Sequence, residues 1–107
     1  MTAKSKAATT AKQPITLDEA FANVNDELLQ MFLKKHKDYG KGNILSVREL
    51  GIVFRMSEKA ERLKHLLMKG EDPANESIDE TLIDIAVYAN IALLLRRGHF
   101  EKLEVNQ

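Results

Sequence analysis

Acidic residues recur about one helical turn apart in two segments of this chain. Glu80 and Asp84 are separated by four positions, and Glu58 and Glu61 are separated by three. On a helix, either spacing places both carboxylates of a pair on one face. Carboxylate oxygens bind Mg²⁺, which usually retains several waters and also contacts substrate phosphates. The two pairs therefore predict a Mg²⁺ site built from two helices.

Each of these four carboxylates also has a purely structural interpretation. Glu80 ends the sequence Ser77-Ile-Asp-Glu80, which has the form of a capping box at a helix N-terminus. Asp84 lies within the apolar stretch LIDIAVYA, where an unpaired charge is strongly unfavourable. An arginine or lysine can neutralise Asp84 as well as a metal ion can. Glu58 and Glu61 are also typical of a solvated helix face.

Basic residues form a second candidate constellation between these acidic pairs. Arg55, Lys59 and Arg62 recur at four- and three-residue steps, so a helix presents them on one side. Guanidinium and ammonium groups bind phosphate oxygens well. The same row can instead neutralise Asp84 across a pair of helices. The spacing leaves both interpretations open.

Three long helices must position these side chains. The sequences that start at Thr16, Ser46 and Ser77 all have the capping-box form, and a glycine follows each apolar segment. These signals predict helices over about 17–38, 47–69 and 78–97, with a short fourth helix near 99–104. The expected fold is all-α, a small helical bundle completed by oligomerisation.

The apolar pattern differs among the predicted helices. In the first, one stripe contains Leu17, Phe21, Val24, Leu28 and Phe32 and continues to Tyr39, which we expect to close the end of the core. The second helix is apolar on two sides of its first half, which predicts either burial there or an oligomer interface. The third helix is apolar almost all round and should be central.

Composition limits the class of protein. A chain of 107 residues predicts one domain, here residues 16–107 after a disordered tail of residues 1–15. The net charge is zero, so direct nucleic-acid binding is not expected. Cysteine is absent, and no apolar run approaches the ~20 residues of a membrane span. A cytoplasmic protein is expected, with its three histidines at the surface or at the rim of a site.

Three sequence blocks in series carry a family resemblance. They are Lys35-x-x-Asp38-Tyr39-Gly40-x-x-Asn43, Arg55-x-x-x-Lys59-x-x-Arg62-Leu63 and Glu76-Ser-Ile-x-Glu80-x-x-x-Asp84-x-x-x-Tyr88-Ala89. Over about residues 17–97 they resemble the helical family called nucleotide modification associated domain 1, found largely in phages and prophages. That family is itself similar to the all-α nucleoside triphosphate pyrophosphohydrolases of the MazG and dimeric dUTPase type.

The resemblance implies a nucleotide-handling protein, and it assigns a role to each candidate residue. The implied Mg²⁺ ligands are Asp38, Glu58, Glu61, Glu80 and Asp84, of which Glu61 and Asp84 are the implied catalytic residues. The implied phosphate- or nucleotide-binding residues are Lys35, Tyr39, Asn43, Arg55, Lys59, Arg62 and Tyr88, and Lys41 is a further phosphate candidate. The implied reaction is cleavage between the α- and β-phosphates. Because a helix pair this small leaves little room for a closed pocket, we expect a homodimer or larger homo-oligomer with the second helix at the interface.

Two alternatives remain open. The spacing within Glu58-x-x-Glu61 and Glu80-x-x-x-Asp84 differs from that of the pyrophosphohydrolases, so the protein can bind a nucleotide without hydrolysing it. The other alternative is a non-catalytic interaction protein, such as a phage accessory factor directed at a host protein. In that case the polar groups of the third helix form a buried network that fixes the bundle.

Overall fold

The computed structural model describes residues 13–70 and 77–106. Within them the helices are α1 (Leu17–Tyr39), α2 (Gly42–Lys69), α3 (Ile78–Arg96) and α4 (His99–Lys102). The two described segments contain no strand, so the predicted all-α fold with three long helices and a short fourth one is confirmed. The first twelve residues of the predicted tail, and Glu76 of the third sequence block, lie outside the described residues.

Side-chain caps start α1 and α3 where the sequence predicts them. The Thr16 hydroxyl accepts a hydrogen bond from the Glu19 N–H at 3.2 Å, and the Glu19 carboxylate accepts from the Ile15 N–H at 2.9 Å. At α3 the capping box is complete, because the Ser77 hydroxyl accepts from the Glu80 N–H and Glu80 accepts from the Ser77 N–H. These bonds satisfy N–H groups that have no partner within a helix.

The second helix begins earlier than predicted, and Ser46 does not cap it. Helix α2 begins at Gly42, so Ser46 lies inside it, and the Ser46 hydroxyl donates to the Asn43 carbonyl at 2.8 Å instead of capping. The helical path is interrupted at Arg48, where φ is 55° and ψ is −158°. Residues other than glycine rarely adopt this conformation. Helix α2 therefore consists of a short segment before Arg48 and a long one after it.

Helix α3 is the central element, as its apolar composition predicts. It packs against α1, α2 and α4. The core contains Ile52 of α2, Val87, Ile91 and Leu95 of α3, and Phe100 of α4. Burying such side chains is the main favourable contribution to folding. Among the described residues, no helix is both long and apolar enough to cross a membrane.

The apolar stripe of α1 contributes to this core only through its C-terminal half. Leu28 and Phe32 are partly buried against the core, whereas Leu17 and Phe21 are 86% and 69% exposed. No element in the described part of the chain covers the first two turns of α1. The expectation that Tyr39 closes the core is also wrong, since Tyr39 is mostly exposed.

The first half of the long α2 segment is buried on one side only. Ile52 is completely buried, while its neighbours Leu50, Val53 and Phe54 are all more than half exposed. The two-sided apolar pattern therefore does not reflect burial within one chain. The alternative, an interface with another copy, stays a prediction.

Candidate functional site

A cavity of about 300 Å³ lies at the C-terminal end of α1, and residues of all four helices line it. Helix α1 contributes Phe32, Lys35, His36 and Tyr39, and these four positions follow the three- and four-residue steps of a single helix face. Gly40 follows directly and forms part of the wall with φ at 68°, a conformation that glycine adopts readily. One end of α1 thus supplies aromatic, basic and backbone groups to the cavity.

Helix α3 faces this cavity with the same periodicity. Its lining residues are Asp84, Val87, Tyr88 and Ile91, and the remaining walls are Asn43, Ile44 and Arg55 of α2 and Phe100 of α4. We call this space the Arg55 cavity. It brings together six of the residues singled out in the sequence: Lys35, Tyr39, Asn43, Arg55, Asp84 and Tyr88.

Asp84 is neutralised by two lysines from different helices. Lys35 Nζ of α1 lies 3.6 Å from Asp84 Oδ1, and Lys59 Nζ of α2 lies 3.4 Å from Asp84 Oδ2. The Asp84 side chain is 17% exposed, so it retains some contact with solvent. Lys59 was one of the predicted partners, and Lys35 is an additional one. The carboxylate within the apolar stretch of α3 is therefore compensated by cations of the same chain.

Arg55 differs from these lysines because it has no anionic partner in the described structure. Its side chain is partly buried and lines the cavity, yet it forms neither a hydrogen bond nor an ion pair with any described residue. A guanidinium carries five N–H donors in a planar arrangement that matches phosphate or carboxylate oxygens. The cavity thus contains one guanidinium whose donors are available to a ligand.

His36 is part of an aromatic wall that was not expected from the sequence. Its ring stacks on Phe32 with centroids 5.3 Å apart, and it meets Phe100 edge-on at 6.2 Å. The spacing of four residues between Phe32 and His36 is a signal for their contact. The approach of Phe100 depends on the path of the chain after α3 and has no such signal. His36 is partly buried, in keeping with the rim position expected for the histidines.

Lys41 does not line the Arg55 cavity, and it holds the C-terminal segment instead. Its Nζ donates to the Leu103 carbonyl at 2.8 Å and to the Glu104 carboxylate at 2.9 Å, with a longer contact of 3.4 Å to the Glu101 carbonyl. Lys41 thereby connects the segment after α4 to the turn between α1 and α2 through hydrogen bonds. Because α4 carries Phe100, this contact also supports the aromatic wall.

The ion pair between Lys41 and Glu104 depends on the ionisation of Glu104. The hydrogen bond from Lys41, together with the charge of its ammonium group, holds the pKa of the Glu104 carboxyl below its ordinary value. A lowered pKa in the folded state means that the stabilisation from this ion pair is complete above the ordinary pKa of glutamate. It is lost as the pH falls through the lowered value, while the bonds from Lys41 to the carbonyls remain.

Three of the predicted site residues lie on a different surface. Glu58, Glu61 and Arg62 line an open groove along α2, together with Phe54, Ser57 and His65. The structure does not bring these three residues into the Arg55 cavity. The basic row of α2 is consequently divided, since Arg55 lines the cavity, Lys59 contacts Asp84 and Arg62 lies at the groove.

The predicted Mg²⁺ ligands are similarly dispersed. Glu80 is exposed and accepts the Ser77 N–H, and Asp38 is exposed without an ion pair in the described segments. Asp84 is held by two ammonium groups, which repel a divalent cation. No group of three or more acidic, histidine or cysteine residues suited to a metal ion occurs among residues 13–70 and 77–106. In this arrangement the carboxylates of one chain do not fit a Mg²⁺ ion, and Mg²⁺ binding stays a prediction.

Comparison with known proteins points to one family. Neither curated proteins nor solved structures gave a significant match to this chain. The family model described as nucleotide modification associated domain 1 matches residues 35–95, which is more than half of the chain. The matched region begins at Lys35 and extends through Arg55, Asp84 and Tyr88. The chain therefore belongs to the nucleotide modification associated domain 1 family.

Proposed function

We propose that this protein binds a single nucleotide in the Arg55 cavity. The observation that carries this proposal is the available guanidinium of Arg55 inside a cavity with aromatic walls. A cation and aromatic rings in one small space match the two chemical parts of a nucleotide, its phosphate and its base. Membership of a nucleotide modification associated family supports the same assignment.

The phosphate is assigned to the basic side of the cavity. Arg55 and Lys35 both line it. Lys59 Nζ lies 3.4 Å from Asp84 Oδ2, next to the cavity wall. Three cations against one carboxylate leave a local excess of positive charge. In a partly buried site this excess attracts a phosphate more strongly than in bulk water. Hydrogen bonds to charged groups contribute about 1.5–3 kcal/mol each.

The base is assigned to the aromatic side. Phe32, His36 and Phe100 form a continuous aromatic wall, and Tyr39 and Tyr88 also line the cavity. Stacking of a base on an aromatic side chain contributes about 1–3 kcal/mol. The exposed amide of Asn43 supplies both donors and an acceptor for the edge of the base or for the sugar.

Binding, rather than hydrolysis, is the activity that the arrangement supports. The cleavage of a triphosphate implied by the resemblance needs acidic residues gathered around Mg²⁺ and the phosphates. In this chain Glu58 and Glu61 line the groove on α2, and Asp84 is paired with lysines in the cavity. We therefore propose a nucleotide-binding protein of nucleotide metabolism or base modification that does not itself release pyrophosphate.

A calorimetric titration tests this function. Nucleosides and their mono-, di- and triphosphates are added to the protein with and without Mg²⁺, and the products are followed by chromatography and mass spectrometry. We expect at least one nucleotide to bind about 10- to 100-fold more tightly than its nucleoside, the factor that corresponds to one or two charge-assisted hydrogen bonds. Release of pyrophosphate would instead show an enzyme. Binding of no nucleotide would favour the protein-interaction alternative.

The proposed functional unit is a homodimer or a larger assembly of the same chain. Leu50, Val53 and Phe54 are exposed at neighbouring positions of α2, and contiguous apolar surface is typical of interaction sites. We expect sedimentation velocity to give a mass of at least two chains, and we expect Phe54→Glu to shift the protein towards the monomer. A monomer at all concentrations would contradict this assignment.

A further inference from the structure

Asp84 is an anion that already occupies a position next to the cations of the Arg55 cavity. Its carboxylate lies between Lys35 and Lys59, at 3.6 and 3.4 Å. The lysines come from α1 and α2 and reach Asp84 from different helices. The Lys35 side chain is 49% exposed and lines the cavity, so its ammonium group can also contact a ligand there. The Lys59 side chain is 25% exposed and does not line the cavity.

The nitrogen–oxygen distances in both ion pairs are long. Strong charge-assisted contacts between nitrogen and oxygen are about 2.7–2.9 Å long, and both Asp84 contacts are longer. The ion pair between Lys35 and Asp84 is the more exposed of the two, and an exposed ion pair contributes little to stability because water and salt screen it. Lys35 can therefore exchange Asp84 for another anion, while Lys59, which is mostly buried, stays paired with Asp84.

A phosphate monoester is a better partner for Lys35 and Arg55, which both line the cavity, than one carboxylate is. Near neutral pH it carries close to two negative charges and has three acceptor oxygens. A carboxylate carries one charge and has two oxygens. A phosphate next to Arg55 can thus attract Lys35 away from Asp84, while Lys59 continues to neutralise the Asp84 carboxylate.

We propose that Asp84 is a resident counter-ion of Lys35, which a phosphate replaces when the ligand binds. This inference rests on the proposed nucleotide-binding function and adds the role of Asp84. Asp84 keeps Lys35 neutralised in the free protein and lowers the affinity for all anions. A singly charged anion does not overcome this competition, whereas the dianionic phosphate of a nucleoside monophosphate does. Asp84 is therefore a specificity-determining residue, and binding needs no divalent cation.

This role predicts the opposite of what a Mg²⁺ ligand would show. If Asp84 held Mg²⁺ at the phosphates, Asp84→Asn would weaken nucleotide binding and Mg²⁺ would be required. If Asp84 competes with the phosphate, Asp84→Asn removes the competitor and leaves all three cations in place. The side chain keeps its size, and only its charge is lost.

The test is a titration of the full chain with nucleoside monophosphates, with Mg²⁺ or with a chelator, for the wild type and for Asp84→Asn. We expect Asp84→Asn to bind about three- to tenfold more tightly, the order expected for loss of weak competing ion pairs, with or without Mg²⁺. Acetate and other monocarboxylates should bind measurably only to Asp84→Asn. The matched control is Asp79→Asn, an exposed aspartate in the first turn of α3 outside the cavity, which should leave affinity unchanged.

Weaker binding by Asp84→Asn, or binding that requires Mg²⁺, would overturn the counter-ion role while leaving nucleotide binding intact. Absence of binding by the wild type and the variant would overturn the proposed function as well. A second measurement does not depend on the folding of Asp84→Asn. In the wild type, the ammonium NMR signal of Lys35 should move on addition of a nucleoside monophosphate. An unchanged Lys35 signal despite binding would also contradict the proposal.

Discussion

Replacing Arg55 with methionine is expected to weaken nucleotide binding by about 10- to 100-fold, because it removes the one lining guanidinium that no described residue neutralises. Methionine retains the apolar stem, which preserves the packing of α2 beside the cavity. The loss should be largest for nucleotides and small for the corresponding nucleosides, since Arg55 is assigned to the phosphate. Isothermal titration calorimetry of both ligand types measures this difference.

The matched control is Arg97→Met, the same chemical change at an exposed arginine that follows α3 and does not line the cavity. It should leave affinity within experimental error of the wild type. Equal losses in the two variants would mean that overall charge governs binding. Unchanged affinity in Arg55→Met would mean that the nucleotide binds elsewhere, and the proposed site would be wrong.

Replacing Gly51 with alanine is expected to lower the free energy of unfolding by about 1–3 kcal/mol, the usual cost of overpacking. A Cβ atom at this position would collide with Val47 Cβ and lie 2.6 Å from Val47 Cγ2. The collision requires the backbone to shift, because the position of Val47 Cβ is fixed by the backbone and no side-chain rotation moves it. Urea unfolding monitored by circular dichroism measures the change.

The reason for this crowding is the interruption of α2 at Arg48. Its non-helical backbone, with φ at 55° and ψ at −158°, brings Val47 close to Gly51, one turn further along the chain. Only a hydrogen in place of a side chain fits there. Because Asn43 precedes the interruption and Arg55 follows it, the same local geometry also sets the relative positions of two cavity residues. Gly51→Ala should consequently weaken nucleotide binding as well as stability.

Gly42→Ala is the matched control for this prediction. A Cβ atom at Gly42 would have no atom within 4 Å, and φ there is not positive. In a helix, alanine is ordinarily more stable than glycine by about 0.5–1 kcal/mol. We therefore expect Gly42→Ala to be neutral or stabilising. If Gly51→Ala were equally well tolerated, the close approach of Val47 would not constrain the fold.

The local sequence was sufficient to predict most of the helices. Helix caps act within a few positions along the chain, so they can be predicted without the tertiary structure. Examples are the capping residues Thr16 and Ser77 and the glycines Gly70 and Gly98. Ser46 has the same local signal, but the chain is already helical at Gly42 and the hydroxyl bonds to a carbonyl instead. A capping sequence therefore identifies a helix start only where the preceding residues are not helical.

Periodicity likewise predicted part of the site. Lys35 and Tyr39 of α1 are separated by four positions, as are Asp84 and Tyr88 of α3, and all four residues line the Arg55 cavity. The requirement that Asp84 have a cationic partner also followed from the sequence, because an unpaired charge in an apolar helix is too costly. Which cations it contacts did not follow, since Lys35 and Lys59 reach it from other helices.

The sequence by itself determined the all-α class, the ends of α1 and α3, the central place of α3 and the need to neutralise Asp84. The tertiary structure alone decided that Arg55 lines the cavity while Glu58 and Glu61 lie along an open groove. It also decided that Lys41 binds the C-terminal segment and that Phe100 completes the aromatic wall. The physical reason is the distance along the chain over which each interaction acts. Caps and helical periodicity act within one or two turns. Contacts between helices depend instead on how each helix is rotated and where the chain bends, as at Arg48.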